Sequence, residues 1–123
     1  MISPPQAAEL TRALRKQVGL PVHLHTHCAS GMAPASIYAA AEAGMEHVDT
    51  ALSPLSWGTS HAPTESIAGS LTGTPWDPGL DKEALTEAAE HFKRVRERYR
   101  PLLDHRSERV DTRILQHQIP GGM

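Results

Sequence analysis

The sequence predicts an α/β protein built around a parallel strand–helix–strand unit. Three observations carry that expectation. Pro21 to His27 alternates, with Val22 and Leu24 on one face and His23, His25 and His27 on the other, which is strand periodicity. An Ala-rich stretch from Ala35 to Ala43 then has helix-forming composition and stops at Gly44. His47-Val48-Asp49-Thr50-Ala51 is short, carries β-branched residues and reads as a second strand. Two strands joined by a helix through short loops form the right-handed crossover of α/β folds.

The other elements follow from caps and breakers. Ser3-Pro4-Pro5-Gln6 reads as a helix start: Ser3 caps, proline suits the first turn, and Gln6 sits where a capping-box partner belongs. Ala7, Leu10, Leu14 and Val18 recur at helical spacing, and Gly19 is placed to close the helix in the left-handed conformation. A polar loop runs from Ser53 to Pro63. Thr64-Glu65-Ser66 starts a third helix with Ile67 and Leu71 inward, broken at Gly73. Asp81 caps a longer helix, with Leu80 able to staple onto Leu85. Leu85, Ala88, Phe92, Val95 and Tyr99 form its apolar stripe, and Pro101 stops it. Val110 to Ile119 is weakly patterned, and Pro120-Gly121-Gly122 reads as a turn.

Bulk composition bounds the function. The chain has 123 residues, one domain at most, and its 39% hydrophobic and 21% charged content fits a soluble globular class. A net charge of -2 and no basic stripe argue against nucleic acid as a partner. A single cysteine, Cys28, excludes an internal disulfide and fits a reducing cytoplasm. No apolar run approaches the ~20 residues of a membrane span, and Met-Ile-Ser-Pro-Pro does not open like a signal peptide. Aromatic residues make up only 4%, namely Trp57, Trp76, Tyr38, Tyr99 and Phe92. So thin a core-forming set implies burial against something outside this chain.

His25-Thr26-His27 carries the chemistry. Residues two apart on a strand share a face and stand ~6.6–6.8 Å apart along the chain. Two imidazoles can converge from there on one cation at ~2.0–2.1 Å each. The pair suits Zn, Mn, Co, Fe and Ni alike and does not name the metal. Both residues end the strand, where parallel α/β barrels place their active sites. A metal-free polar face remains the alternative for any His-x-His, although three histidines on one face are an odd way to solubilise a strand. His23, one step deeper, is expected to hydrogen-bond or pack rather than ligate.

The remaining polar residues have ordinary explanations. The loop Ser56-Trp57-Gly58-Thr59-Ser60-His61 offers hydroxyls, a glycine and an imidazole, but its spacing favours a helix-entry loop that satisfies its own backbone. Asp49 could orient a histidine; a structural hydrogen bond is the simpler role. Glu65 suits the positive end of a helix. Cys28 is expected to be a small buried thiol. His47, His91, His105 and His117 are expected on the surface.

With these residues in hand, the chain resembles the carboxyltransferase domain of pyruvate carboxylase, the oxaloacetate decarboxylase alpha chain and transcarboxylase. Leu24-His25-Thr26-His27 and Ser30-Gly31-Met32-Ala33 look like the metal strand. Asp49-Thr50-Ala51, Ser53-Pro54-Leu55-Ser56, Gly58-Thr59-Ser60 and Pro63-Thr64-Glu65-Ser66 continue the likeness in order. Gly79-Leu80-Asp81 and Gln118-Ile119-Pro120-Gly121-Gly122-Met123 complete it. The resemblance implies a partial (β/α)8 TIM barrel, its last two strands with their helices in residues 1–72, and the start of a mostly helical extension in 73–123. It implies His25 and His27 as metal ligands and Thr59 as the residue that passes a proton between biotin and the keto acid.

The same resemblance implies a divalent metal (Zn, Mn or Co), biotin carried on another domain or subunit, a 2-oxo acid substrate and an oligomeric parent enzyme. An aspartate and a carbamylated lysine should complete the metal site from a missing N-terminal barrel half; Lys16, Lys82 and Lys93 do not fall in the family's lysine motif. Cys28-Ala29 and His61-Ala62 depart from the usual Asp-Thr and Gln-Pro. The quartets at 53–56 and 63–66 look closer to the decarboxylase and transcarboxylase versions. Two alternatives stand beside this family. One is a metal-dependent barrel enzyme of the isopropylmalate synthase or hydroxymethylglutaryl lyase type, which usually follows its His pair with Asn-Asp. The other is an inactive truncated or split subunit.

Overall fold

The computed structural model describes residues 2–116. The motif at 118–123, the turn within it and His117 lie outside those residues. The chain runs through α1 (Pro4–Gln17), β1 (His23–Leu24), α2 (Ala33–Glu42), β2 (His47–Val48), a 3-10 turn at Ser53–Leu55, α3 (Thr64–Leu71) and α4 (Lys82–Tyr99), then two short 3-10 turns at Arg100–Leu102 and Thr112–Leu115. The strands pair in parallel, His23 with His47 and Leu24 with Val48. A strand–helix–strand unit is therefore present as expected.

Local signals set the helix ends. The Gln6 Oε1 accepts the Ser3 N–H at 3.1 Å and the Ser3 hydroxyl at 2.8 Å, so the start of α1 is tied back on itself. Asp81 accepts the N–H groups of Glu83 and Ala84, which caps α4. Gly44 ends α2 at φ 99° and Gly73 follows α3 at φ 77°. Gly19 differs from expectation. Val18 already turns extended and donates to the Leu14 carbonyl, so the chain leaves the helix before Gly19 and needs no left-handed residue there.

The strands are shorter than the alternating patterns. Only two residues of each pair in a ladder, and among the described residues the sheet holds these two strands with no third alongside. The alternation persists beyond the ladder: His23, His25 and His27 are exposed while Val22, Leu24 and Thr26 are half-buried.

The core lies between the pair and the helices. Cys28, Ala33, Ile37, Ala41, Ala62, Ile67 and Leu71 form it, with Leu24, Met45, Val48 and Trp76 against its edge. Ile37 is fully buried, which contributes about 1.5–3 kcal/mol. The helix α1 packs on α2 through Ala7, Ala8 and Thr11, small residues that let two helices approach closely. Its larger residues face away: Leu10, Leu14 and Val18 are exposed. In α4 no residue is buried, and Phe92 and Tyr99 of its stripe are exposed. Among the described residues no helix is long and apolar enough to cross a membrane.

Candidate metal centre

The histidine strand delivers its side chains to the end of β1. The next segment, Ser60 to Thr64, crosses the ends of both strands. Cys28 donates its N–H to the Ser60 carbonyl at 2.7 Å, Ala51 donates to Ala62 at 3.1 Å, and Thr64 donates to Ala51 at 2.8 Å. These bonds hold the loop over the strand ends and bring a third imidazole to the pair. The rings of His25 and His27 are 5.2 Å apart, and His61 lies 4.7 Å from each. One ring nitrogen from each of the three falls within 4.8 Å of the others.

Each of these rings is oriented through Nδ1. His25 Nδ1 meets Asp49 Oδ2 at 2.6 Å, His27 Nδ1 meets the Thr59 carbonyl, and His61 Nδ1 meets the Thr26 carbonyl at 2.8 Å. A carbonyl oxygen can only accept, so Nδ1 of His27 and of His61 carries the proton. In a neutral ring Nε2 is then an unprotonated lone pair. Metal-binding histidines are held in this way, by an oxygen acceptor on the nitrogen that faces away from the ion. The donor set fits a divalent transition metal.

Asp49 serves two rings. Its Oδ1 meets His23 Nε2 at 2.9 Å while Oδ2 meets His25. The His25 hydrogen bond, and after it the His23 bond, hold the Asp49 carboxyl below its ordinary value. His23 therefore sits behind the cluster as a hydrogen-bonding residue, as its strand position suggested, and Asp49 orients a histidine. Glu65 does more than face a helix end: both its carboxylate oxygens accept the Ser53 N–H, at 3.0 and 2.9 Å, which ties α3 to the loop.

Thr59 stands on the same loop. Its N–H and its hydroxyl both donate to the Ser107 carbonyl, at 2.8 and 3.3 Å. The loop hydroxyls do satisfy backbone groups, as their composition suggested; Ser56 likewise donates to the Ser53 carbonyl. The turn is tight: Trp57 and Gly58 both take left-handed backbone, φ 72° and 53°. Residues around Ser107 press on Gly58, and Asp111 donates its N–H to Ala29, so this strap spans the site. Cys28 is fully buried, and burial raises its thiol pKa. His47, His91 and His105 are exposed, as expected.

His61 is the residue that sequence reasoning set aside. Its signal was positional: it is the imidazole in the loop leaving the strand next to the histidine strand.

Comparison with known proteins gives the family. Residues 1–92 match the HMGL-like family. The chain belongs to that family. This HMGL-like chain is 53% identical over 123 residues to a pyruvate carboxylase subunit of Methanothermobacter thermautotrophicus, covering 100% of itself and 22% of that protein. It is 38% identical over 125 residues to the methylmalonyl-CoA carboxyltransferase 5S subunit of Propionibacterium freudenreichii subsp. shermanii, covering 100% of itself and 24% of that protein.

Among solved structures it is similar to the carboxyl transferase domain of Rhizobium etli pyruvate carboxylase with pyruvate and biocytin. The TM-score is 0.83 at 34% identity, over 97% of this chain and 20% of that one. The HMGL-like chain thus spans less than a quarter of the curated relatives it matches. The carboxyltransferase likeness expected from the ordered motifs is the one found.

Proposed function

We propose that this chain is part of a biotin-dependent carboxyltransferase that moves CO2 between carboxybiotin and a 2-oxo acid such as pyruvate or oxaloacetate. The observation that carries this is the alignment of the whole chain with carboxyltransferase proteins, together with an imidazole cluster beside Thr59 at the strand ends. Residues 1–72 supply the last two strands of a (β/α)8 barrel and 73–123 begin the helical extension. The remaining barrel covers the exposed face of α1, where Leu10, Leu14 and Val18 have no cover among the described residues. Biotin arrives on another domain or subunit, and the working enzyme is an oligomer.

His25 and His27 hold a divalent metal (Zn, Mn or Co) through Nε2, with Asp49 and the Thr59 carbonyl fixing their rings. The metal, when bound, supplies Lewis-acid stabilisation of negative charge on the keto-acid oxygen. Thr59 passes a proton between the biotin ring and the methyl carbon of the keto acid. Its hydroxyl is within reach of that role because its bond to Ser107, at 3.3 Å, is long and readily exchanged. The Thr59 backbone carbonyl meets the His27 ring, so the residue stands beside the histidine cluster.

The test is Thr59 in the protein assembled with its remaining barrel. Thr59→Ala should abolish carboxyl transfer and leave metal affinity unchanged, and Thr59→Ser should restore most of the rate. Full activity in Thr59→Ala would overturn the relay. The chain on its own, with two strands and open edges, should catalyse nothing.

A further inference from the structure

We propose that His61 is a third imidazole ligand of the ion held by His25 and His27, so that this chain alone presents three nitrogens to one metal. The inference rests on the metal reading of that pair and extends it. The residue is positioned, not incidental. The loop backbone is pinned on both sides of it: Cys28 donates to the Ser60 carbonyl at 2.7 Å, the His61 carbonyl accepts from Trp57 at 3.0 Å, and Ala62 accepts from Ala51 at 3.1 Å. The ring is pinned as well, by Nδ1 on the Thr26 carbonyl, the residue between the two other ligands. With Nδ1 donating to that carbonyl, Nε2 of a neutral ring is the nitrogen left to ligate. Held at its backbone and at Nδ1, the ring loses little further freedom on binding an ion.

The distances are those of an open site. Three nitrogens each about 2.1 Å from one ion stand about 3.0–3.6 Å from one another. The present limit is 4.8 Å. An inward shift of up to about an ångström at each ligating nitrogen closes the difference, a scale that side-chain torsions supply. A third neutral nitrogen also changes which ions are held. Imidazole-rich sets favour Co, Ni, Cu and Zn over Mn and Mg, whose preference is for oxygen. Where the resemblance leads one to expect Gln-Pro, this chain carries His61-Ala62.

The experiment is a titration of the 123-residue chain with cobalt(II) chloride and, separately, manganese(II) chloride. It uses wild type, His61→Ala, His61→Gln, His25→Ala and His27→Ala, each checked for native circular dichroism. Wild type should show three solvent-exchangeable, paramagnetically shifted ring N–H resonances in the cobalt form, one per Nδ1–H of each bound histidine. Either His61 variant should lose one of the three and weaken cobalt binding about tenfold or more, with a smaller effect on manganese. Retention of all three resonances and of wild-type affinity in His61→Gln would overturn the proposal. If His25→Ala and His27→Ala also leave cobalt binding unchanged, the metal reading of the pair has failed. If they abolish it while His61 is silent, only the third ligand is wrong.

Discussion

Gly58→Ala probes the strap over the site. Gly58 has φ +53°, where an L side chain costs about 1–2 kcal/mol. A Cβ there would stand 1.9 Å from the Ser107 carbonyl oxygen and 2.7 Å from the Ser107 and Glu108 carbonyl carbons. Ordinary C···O contact begins near about 3.3 Å, so the strap must retreat by about 1.4 Å. Backbone cannot rotate out of the way as a side-chain tip does. The retreat lengthens both hydrogen bonds from Thr59 to Ser107, each contributing about 1 kcal/mol. Gly58→Ala should therefore destabilise by about 3 kcal/mol. Gly73→Ala is the control: φ is +77° but nothing lies within 4 Å, so only the backbone cost of about 1–2 kcal/mol applies. Urea unfolding gives both values, and amide exchange at Thr59 reports the strap directly. Equal destabilisation by the two variants, with Thr59 still protected in Gly58→Ala, would show that the strap does not rest on this loop.

Asp49→Asn keeps the shape of the group that orients His23 and His25 but removes its charge; it should lower cobalt affinity about 10–100-fold by calorimetry. The Asp111 carboxyl is held down to about 2 by the Arg113 side chain, from an ordinary 3.8. A depressed carboxyl contributes stability above its unfolded value and loses it as pH falls through its folded one, so the Arg113 amide shift should titrate near 2, and a midpoint near 3.8 would contradict the pairing. Cys28 is fully exposed only on opening, and burial raises its pKa. Its labelling by a thiol reagent at about pH 8 should be at least about a hundredfold slower than in urea; equal rates would mean the core around it is open.

How far the sequence speaks depends on how local each signal is. Ser3 with Gln6, Asp81 and Gly44 act within one helical turn, and those ends lie where their residue types put them. Strand phase was equally local, since alternate burial follows from the backbone alone. Strand length was not, because hydrogen-bonded extent depends on what lies alongside. The buried face of α1 was not legible for a related reason. Its spacing allowed a stripe through Leu10, Leu14 and Val18, but the alanine-rich α2 admits a close neighbour only at Ala7, Ala8 and Thr11. The His25 and His27 pair was visible as a two-residue spacing. His61 was not, because 35 residues separate it from the Thr26 carbonyl that holds it. Only the fold of the loop over the strand ends brings them together.

The central claim is that this chain belongs to a biotin-dependent carboxyltransferase site. The most direct measurement is oxaloacetate decarboxylation by the chain assembled with its remaining barrel, with and without free biotin. Turnover that requires biotin, and that disappears in His25→Ala and in His27→Ala, is the predicted result. Biotin-independent cleavage of a hydroxyacyl thioester by the same assembly would contradict it.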